Sequence, residues 1–310
     1  MTPGPAAQPI SRGQAWYRAA RPRTLTATYV PLGAAAVIAL QDGVFNLWTF
    51  ALSVLAALLL QIAANLINEY YDFRRGAEEL KQAGQGMILK SGLLRPREVL
   101  IGAVVTVLGG VLIGLYLLAQ SGPLLLWIGL GGVLVVILYT AGPFPLAYNG
   151  LGEAAVGLFM GPLMVLGAYY VMAAQFSWTP VLVGIPIGLM SAAILDANNV
   201  RDVEADRAVR KRTLAVLLGQ QAARWEYALL VSGAYALVVV LIAAGVMPWP
   251  TVLVALSLPE AIRLVRVLMT SNDTALLHRA QGGTAKLHGL FGLWLVIGWM
   301  LALVTQQLTR

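Results

Sequence analysis

Two short stretches of this 310-residue chain carry oxygen-bearing side chains at helical spacing. Asn65, Asn68 and Asp72 form the first set and Asn198, Asp202 and Asp206 the second, so on a helix each set lines a single face. Carboxylates brought together this way repel one another unless a cation intervenes. A hard divalent ion such as Mg²⁺ answers that need, since it takes oxygen ligands from one or two carboxylates and fills its other positions with water and substrate phosphate. Basic residues border both sets: Lys90 with Ser91 and Gly92 after the first, Lys211 and Arg212 with Thr213 after the second. The pattern calls for a diphosphate clamped from two sides, with magnesium and Lys/Arg stabilising the negative charge that develops as its carbon–oxygen bond breaks. A plainer reading of each residue alone is a charge meeting water or headgroups, and Asp206 to Arg210 has ordinary i,i+4 spacing. The duplication, the helical register and the adjoining basic loops together favour the metal and diphosphate reading.

The elements that must position these residues are apolar. The chain is 59% hydrophobic and 11% charged, against about 25% charged residues in soluble domains. Apolar length and Gly/Pro breaks predict spans at Thr24–Leu40, Trp48–Asn65, Val99–Leu118, Pro123–Tyr139, Ala154–Met172, Val181–Leu195, Tyr227–Val246, Thr251–Met269 and Leu287–Val304. The fold class expected is an all-α integral membrane protein, nine transmembrane helices in a bundle around a central cavity, with residues 24–310 one domain and 1–23 an interfacial cytoplasmic lead-in. All but Arg310 of the 21 Lys and Arg fall before span one, in the connections after spans two and six, or around the connection from span eight to span nine. The positive-inside rule therefore predicts a cytoplasmic N-terminus, a multi-pass protein of the inner or plasma membrane, and a site facing the cytoplasm. The net charge of +7 is explained by that topology and implies no nucleic-acid partner. Absence of Cys excludes thiolate metal sites and thiol nucleophiles. The two acidic ends belong to spans that cross in the same direction, as in a parallel internal repeat. A diphosphate ligand within a bilayer, carrying a greasy tail, is most simply a polyprenyl diphosphate.

These residues resemble the UbiA superfamily of intramembrane prenyltransferases, and within it the 1,4-dihydroxy-2-naphthoate polyprenyltransferase branch (MenA type). The likeness spans nearly the full chain: Arg21-Pro22-Arg23-Thr24-Leu25, Asn65 to Gly76, Tyr139-Thr140-Ala141-Gly142-Pro143, Tyr148 to Glu153, and Asn198 to Asp206 followed by Lys211-Arg212-Thr213. It implies a metal set of Asn68, Asp72, Asn198, Asp202 and Asp206 holding two Mg²⁺ ions, with Glu78 standing in for an acid that Gly76 has replaced. Arg23, Asn65, Lys90, Ser91, Tyr148, Arg201, Lys211 and Arg212 become candidate substrate contacts, and Tyr139, Lys90 and Glu153 candidate catalytic residues, Tyr139 facing an allylic cation. Glu69 occupies a position where the superfamily has Asp. Asn149 stands where the branch often has a basic residue. The implied reaction joins a polyprenyl group to an aromatic acceptor with loss of CO₂, leading to menaquinone.

Other acceptors, such as 4-hydroxybenzoate or homogentisate, fit the same spacing, and so does a cation-coupled transporter, although clustering of the acids at one face and a parallel repeat count against transport. The Asp-Gly and Ala-Arg signature of CDP-alcohol phosphotransferases is missing from these motifs. His278 and His288 read as polar or interfacial residues, Glu260, Arg263 and Arg266 as an ion-paired stripe, and Gly157, Gly161 and Gly167 as helix-packing positions.

Overall fold

The computed structural model describes residues 11–77 and 87–308, with the Arg23 side chain outside that set. Described residues form helices and connections without a strand ladder. A short helix α1 (Arg12–Ala19) opens on a Ser11/Gln14 capping box. The apolar helices are α2 (Thr26–Gln41), α3 (Leu47–Arg74), α4 (Pro96–Ser121), α5 (Leu124–Leu138), α6 (Gly152–Phe159), α7 (Pro162–Ala173) and α8 (Trp178–Ala208). After a single turn and a half, α9 (Leu214–Leu218), come α10 (Gln220–Ala243), a 3-10 segment (Trp249–Ser257), α11 (Leu258–Thr270) and α12 (Thr274–Leu308). Among the described residues six helical stretches, with α6 and α7 taken together, are long and apolar enough to cross a bilayer; α2 and α5 are shorter apolar helices. Exposed Leu108 and Leu112 on α4 and Leu229 and Val239 on α10 present the outward apolar faces of a multi-pass membrane protein.

Four features differ from the sequence expectation. α3 runs on to Arg74 instead of ending near Asn65, and α8 to Ala208 instead of Leu195. Apolar length stops a span at its first polar residues, whereas backbone hydrogen bonding continues wherever those side chains find partners. The expected fifth span is broken at Met160–Gly161, with Pro162 starting α7, because proline has no N–H to continue the ladder of α6. The expected eighth span is a 3-10 segment followed by α11, with Pro248, Pro250 and Pro259 along it.

Helix α8 is the axis of the packing, touching α2, α6, α7, α10 and α12. Its contact with the α6–α7 corner is backbone on backbone. A Cβ on Gly188 would stand 2.1 Å from the Gly157 carbonyl oxygen, and one on Gly161 would stand 2.5 Å from that of Gly184, so only glycine permits this approach. The main apolar core joins α2, α7, α8, α10, α11 and α12 through residues such as Ile187, Tyr227, Phe291 and Trp299. A smaller core, with Leu66, Ile88, Leu94 and Val99, lies under α1, the C-terminal end of α3 and the N-terminal end of α4.

Candidate active site

A cavity of about 570 Å³ lies between α3, α4, α5, the α6–α7 corner and α8. Its body is apolar, with Leu60, Val136, Phe159 and Leu163, while Arg21, Asn65, Asn68, Asp72, Asn198, Arg201 and Lys211 line its polar end. One greasy compartment therefore opens onto one charged mouth.

On the α3 side, the continued helix places Asn68 one turn before Asp72, and the Asn68 amide donates to Asp72 Oδ2 at 3.2 Å and to Thr140 Oγ1 at 3.2 Å. Tyr148 Oη donates to Asp72 Oδ1 at 2.8 Å. Burial and the neighbouring Asp72 charge raise the Tyr148 pKa, so the phenol keeps the proton it donates. Arg75 stacks 4.5 Å over the Tyr148 ring and donates to the Thr140 carbonyl at 2.6 Å, fixing the 140s loop against α3. Asn65 is buried and donates to the Ala20 carbonyl at 2.8 Å.

On the α8 side the acids meet cations. Arg201 Nε and Nη2 donate to Asp202 Oδ1 and Oδ2 at 2.6 and 2.7 Å, and Nη2 also reaches Asn198 Oδ1 at 2.7 Å. Lys211 Nζ lies 3.5 Å from Asp206 Oδ1, so the lysine after the helix takes the role that i,i+4 spacing assigned to Arg210. Burial works against the Lys211 charge, yet Asp206, Asp72 and Asp202 together outweigh it and raise the Lys211 pKa. Acids from both helix ends thus act on one ammonium. Chain geometry makes this meeting possible: the Arg212 N–H donates to the Tyr148 carbonyl at 3.1 Å, which joins the loop after α8 to the loop before α6 and sets Lys211 Nζ 5.5 Å from the Tyr148 ring.

The sequence matches the UbiA prenyltransferase family over residues 29–290. A 1,4-dihydroxy-2-naphthoate octaprenyltransferase of Bacillus subtilis is 34% identical over 298 residues, which cover 96% of each chain. The chain belongs to the UbiA prenyltransferase family. The Escherichia coli enzyme of the same name is 34% identical, over 73% of this chain and 75% of its own. Among solved structures, a UbiA homolog from Aeropyrum pernix K1 superposes with a TM-score of 0.67 at 17% identity, covering 88% of this chain and 97% of that one. A UbiA homolog from Archaeoglobus fulgidus, bound to DMAPP and Mg²⁺, gives 0.64 at 15% identity over 91% and 98%.

Within this UbiA fold, the site residues suggested by the sequence divide into three groups. Asn65, Asn68, Asp72, Tyr139, Asn198, Arg201 and Lys211 line the cavity. Tyr148, Glu153, Asp202 and Asp206 are buried directly behind that lining; Glu153, on the first turn of α6, accepts from the Asn199 amide at 2.6 Å. Lys90, Ser91 and Arg212 are exposed and are absent from the cavity wall, with Ser91 donating to the Ile88 carbonyl instead. Glu78 and the side chain of Arg23 lie outside the described residues.

Glu69 is not part of the mouth. It is fully buried on another face of α3, accepting from the backbone N–H groups of Met87, Ile88 and Leu89 at 3.1, 2.5 and 3.2 Å and from Arg21 at 3.3 Å. A helix step of one residue turns a side chain about 100°, so Glu69 cannot share the stripe of Asn68 and Asp72, and it pins the chain before α4 instead. His288 corrects the interfacial reading, because it is fully buried within α12 and its Nε2 lies 3.2 Å from Ser191 Oγ. His278 touches Arg201 Nη1 at 3.0 Å. Sequence reasoning missed Arg75, Thr140 and Arg21 as supports; their only signal was membership of the motifs that carry the resemblance. Asn149 donates to the Pro145 carbonyl at 2.8 Å and so caps its own loop.

The donor chemistry suits a hard divalent ion. Asp72, Asp202 and Asp206 offer carboxylate oxygens and Asn68 and Asn198 amide oxygens, and the mouth already draws positive charge to itself as Lys211 and Arg201. Among the described residues, no three acidic or histidine side chains stand at mutual metal-holding distance.

Proposed function

We propose that this chain transfers a polyprenyl group from polyprenyl diphosphate to 1,4-dihydroxy-2-naphthoate, with decarboxylation, in menaquinone biosynthesis at the inner or plasma membrane. One observation carries the reading: Asp72, Asp202 and Asp206, from two separate helices, act on a single ammonium at the polar mouth of an apolar cavity. The names of the bacterial relatives support the choice of acceptor.

In this reading Asp72, Asp202 and Asp206, with Asn68 and Asn198, would hold Mg²⁺, two ions by the family resemblance, which when bound would supply neutralisation of the leaving diphosphate. Lys211 and Arg201 then turn from the carboxylates toward the diphosphate oxygens, supplying charge-assisted hydrogen bonds. The prenyl tail lies along Leu60, Val136, Phe159 and Leu163. When the C1–O bond breaks, its electron pair leaves with the diphosphate, and the Tyr139 ring lines the space beside the allylic carbon. An electron-rich ring carbon attacks C1, a carbon–carbon bond forms, and departure of the ring carboxylate as CO₂ restores aromaticity. Glu153, at the start of α6, accepts from Asn199 and would orient an acceptor hydroxyl through that cavity-lining amide. The apolar wall keeps water from the cation. The site faces the cytoplasm, since the basic connections lie at its end of the bundle.

The test uses purified chain in lipid with dihydroxynaphthoate, a panel of other aromatic acceptors, prenyl diphosphates of several lengths and Mg²⁺, followed by product masses. The expected product is the prenylated, decarboxylated naphthoquinol, formed only with divalent metal. Product from 4-hydroxybenzoate or homogentisate alone would replace the acceptor, and metal-independent turnover would remove the clamp.

A further inference from the structure

A second cavity, of about 370 Å³, lies between α11 and α12, separate from the transfer cavity but next to it, since His278 in its wall touches Arg201 of the transfer site at 3.0 Å. Arg263, Arg279 and Lys286 supply three positive charges to its wall, and Glu260 supplies one negative charge. Glu260 accepts from Arg263 Nε and Nη2 at 2.8 and 2.7 Å, so that acid is already matched within the wall. The remaining balance is two positive charges, from Arg279 and Lys286, on side chains that are both exposed. Between them Gly282 leaves open space where a Cβ would meet nothing within 4 Å, while at Gly283 a Cβ would stand 2.8 Å from Leu264. The two glycines therefore form a floor low enough for a ligand to settle between the cations.

The depth of the cavity identifies its surroundings. Lys286 directly precedes the apolar run that begins at Leu287, and exposed Ile262 and Leu276 lie beside the pocket on α11 and α12. A basic recess at the edge of an apolar surface stands where lipid headgroups begin. Multidentate Arg and Lys donors match phosphate oxygens in particular. We infer that this recess binds a phosphate group, carried on an anionic phospholipid or free in solution, at a site distinct from the one that takes the prenyl donor. A bound headgroup would tie the α11–α12 corner to the membrane surface.

The experiment uses the full-length chain. Native mass spectrometry measures retention of phosphatidylglycerol against phosphatidylcholine for the unaltered chain, for an Arg279→Gln/Lys286→Gln variant, and for an Arg18→Gln/Arg97→Gln control whose charges are equally exposed elsewhere. Thermal unfolding with added inorganic phosphate forms a parallel arm. For a lipid ligand, phosphatidylglycerol is retained preferentially, and the recess variant loses about thirtyfold of that preference while the control keeps it. For a free anion, phosphate raises the melting temperature of the unaltered chain and control but not of the recess variant. Equal loss in the control, or no selectivity and no phosphate shift in the unaltered chain, overturns the proposal. Neither readout depends on turnover, so this inference and the proposed transferase reaction fail separately.

Discussion

At the end of α3, Asp72 is held by the Asn68 amide and the Tyr148 hydroxyl, both neutral, whereas at the end of α8 Asp202 faces Arg201 and Asp206 faces Lys211. The spacing Asn68/Asp72 is repeated as Asn198/Asp202, yet the surroundings have diverged. The α3 end keeps a carboxylate whose charge is balanced only from a distance, while the α8 end is neutralised by contact. A cation approaching the mouth therefore meets its least opposed partner at Asp72, and full use of the α8 acids requires the two basic side chains to move off them.

That contrast predicts different consequences for equivalent substitutions. Asp72→Ala should lower prenyl transfer by about 10³-fold, the scale of losing a principal electrostatic stabiliser, with little change in melting temperature because its hydrogen-bond partners, Asn68 and Tyr148, are neutral and no ion pair is broken. Asp202→Ala should match that loss of activity and also unfold at a clearly lower temperature, because Arg201, with 2% of its side chain exposed, is left with a buried charge; breaking such a pair costs about 3 kcal/mol. Equal melting temperatures for the two variants would erase the distinction between the ends. Lys211→Gln should show a sharper signature. Removal of the ammonium lets Mg²⁺ reach the acids at severalfold lower concentration, while KM for the prenyl diphosphate rises about tenfold through loss of a charge-assisted contact. A parallel weakening of both would place Lys211 in a purely structural role. Glu69→Gln should cost about 1 to 3 kcal/mol through the three backbone donors it leaves poorly matched, detectable as a lower denaturation midpoint with unchanged metal dependence. The smallest effect belongs to Tyr148→Phe, which removes one hydrogen bond to Asp72 and should reduce activity by less than about tenfold.

Most of the architecture was legible because bilayer spans announce themselves through apolar length, and the two acidic motifs because helical periodicity survives beyond the span. Their convergence was legible only as an inference from duplication. Boundaries were the weak point: a hydropathy reading ends at Asn65 and Leu195, where the helices instead run nine and thirteen residues further, to Arg74 and Ala208. The interfacial reading of His288 and the open role of Glu69 share one cause. Each is a titratable side chain whose role depends on which face of its helix it occupies and on what crosses that face, here the backbone of residues 87–89 and Ser191. Lys90 and Arg212 illustrate the converse, since sequence adjacency to a motif says nothing of where a loop turns its side chains. Arg201 was recognised through its motif, but its grip on both Asp202 and Asn198 depends on rotamers that sequence does not encode.

The glycine contacts between α8 and the α6–α7 corner have a mechanical consequence. Because carbonyl oxygens seat where side chains would otherwise project, α8 is keyed like a shaft in a slot and has a single axial setting. Gly188 lies fourteen positions before Asp202 along the helix, about 20 Å at 1.5 Å per residue. Any bulk added there is relieved only by sliding or tilting the whole rod, which carries the far carboxylates out of line with Tyr148 and Asp72. Gly188→Ala, a change of one methyl group buried far from the chemistry, should therefore be read out as misalignment at the mouth.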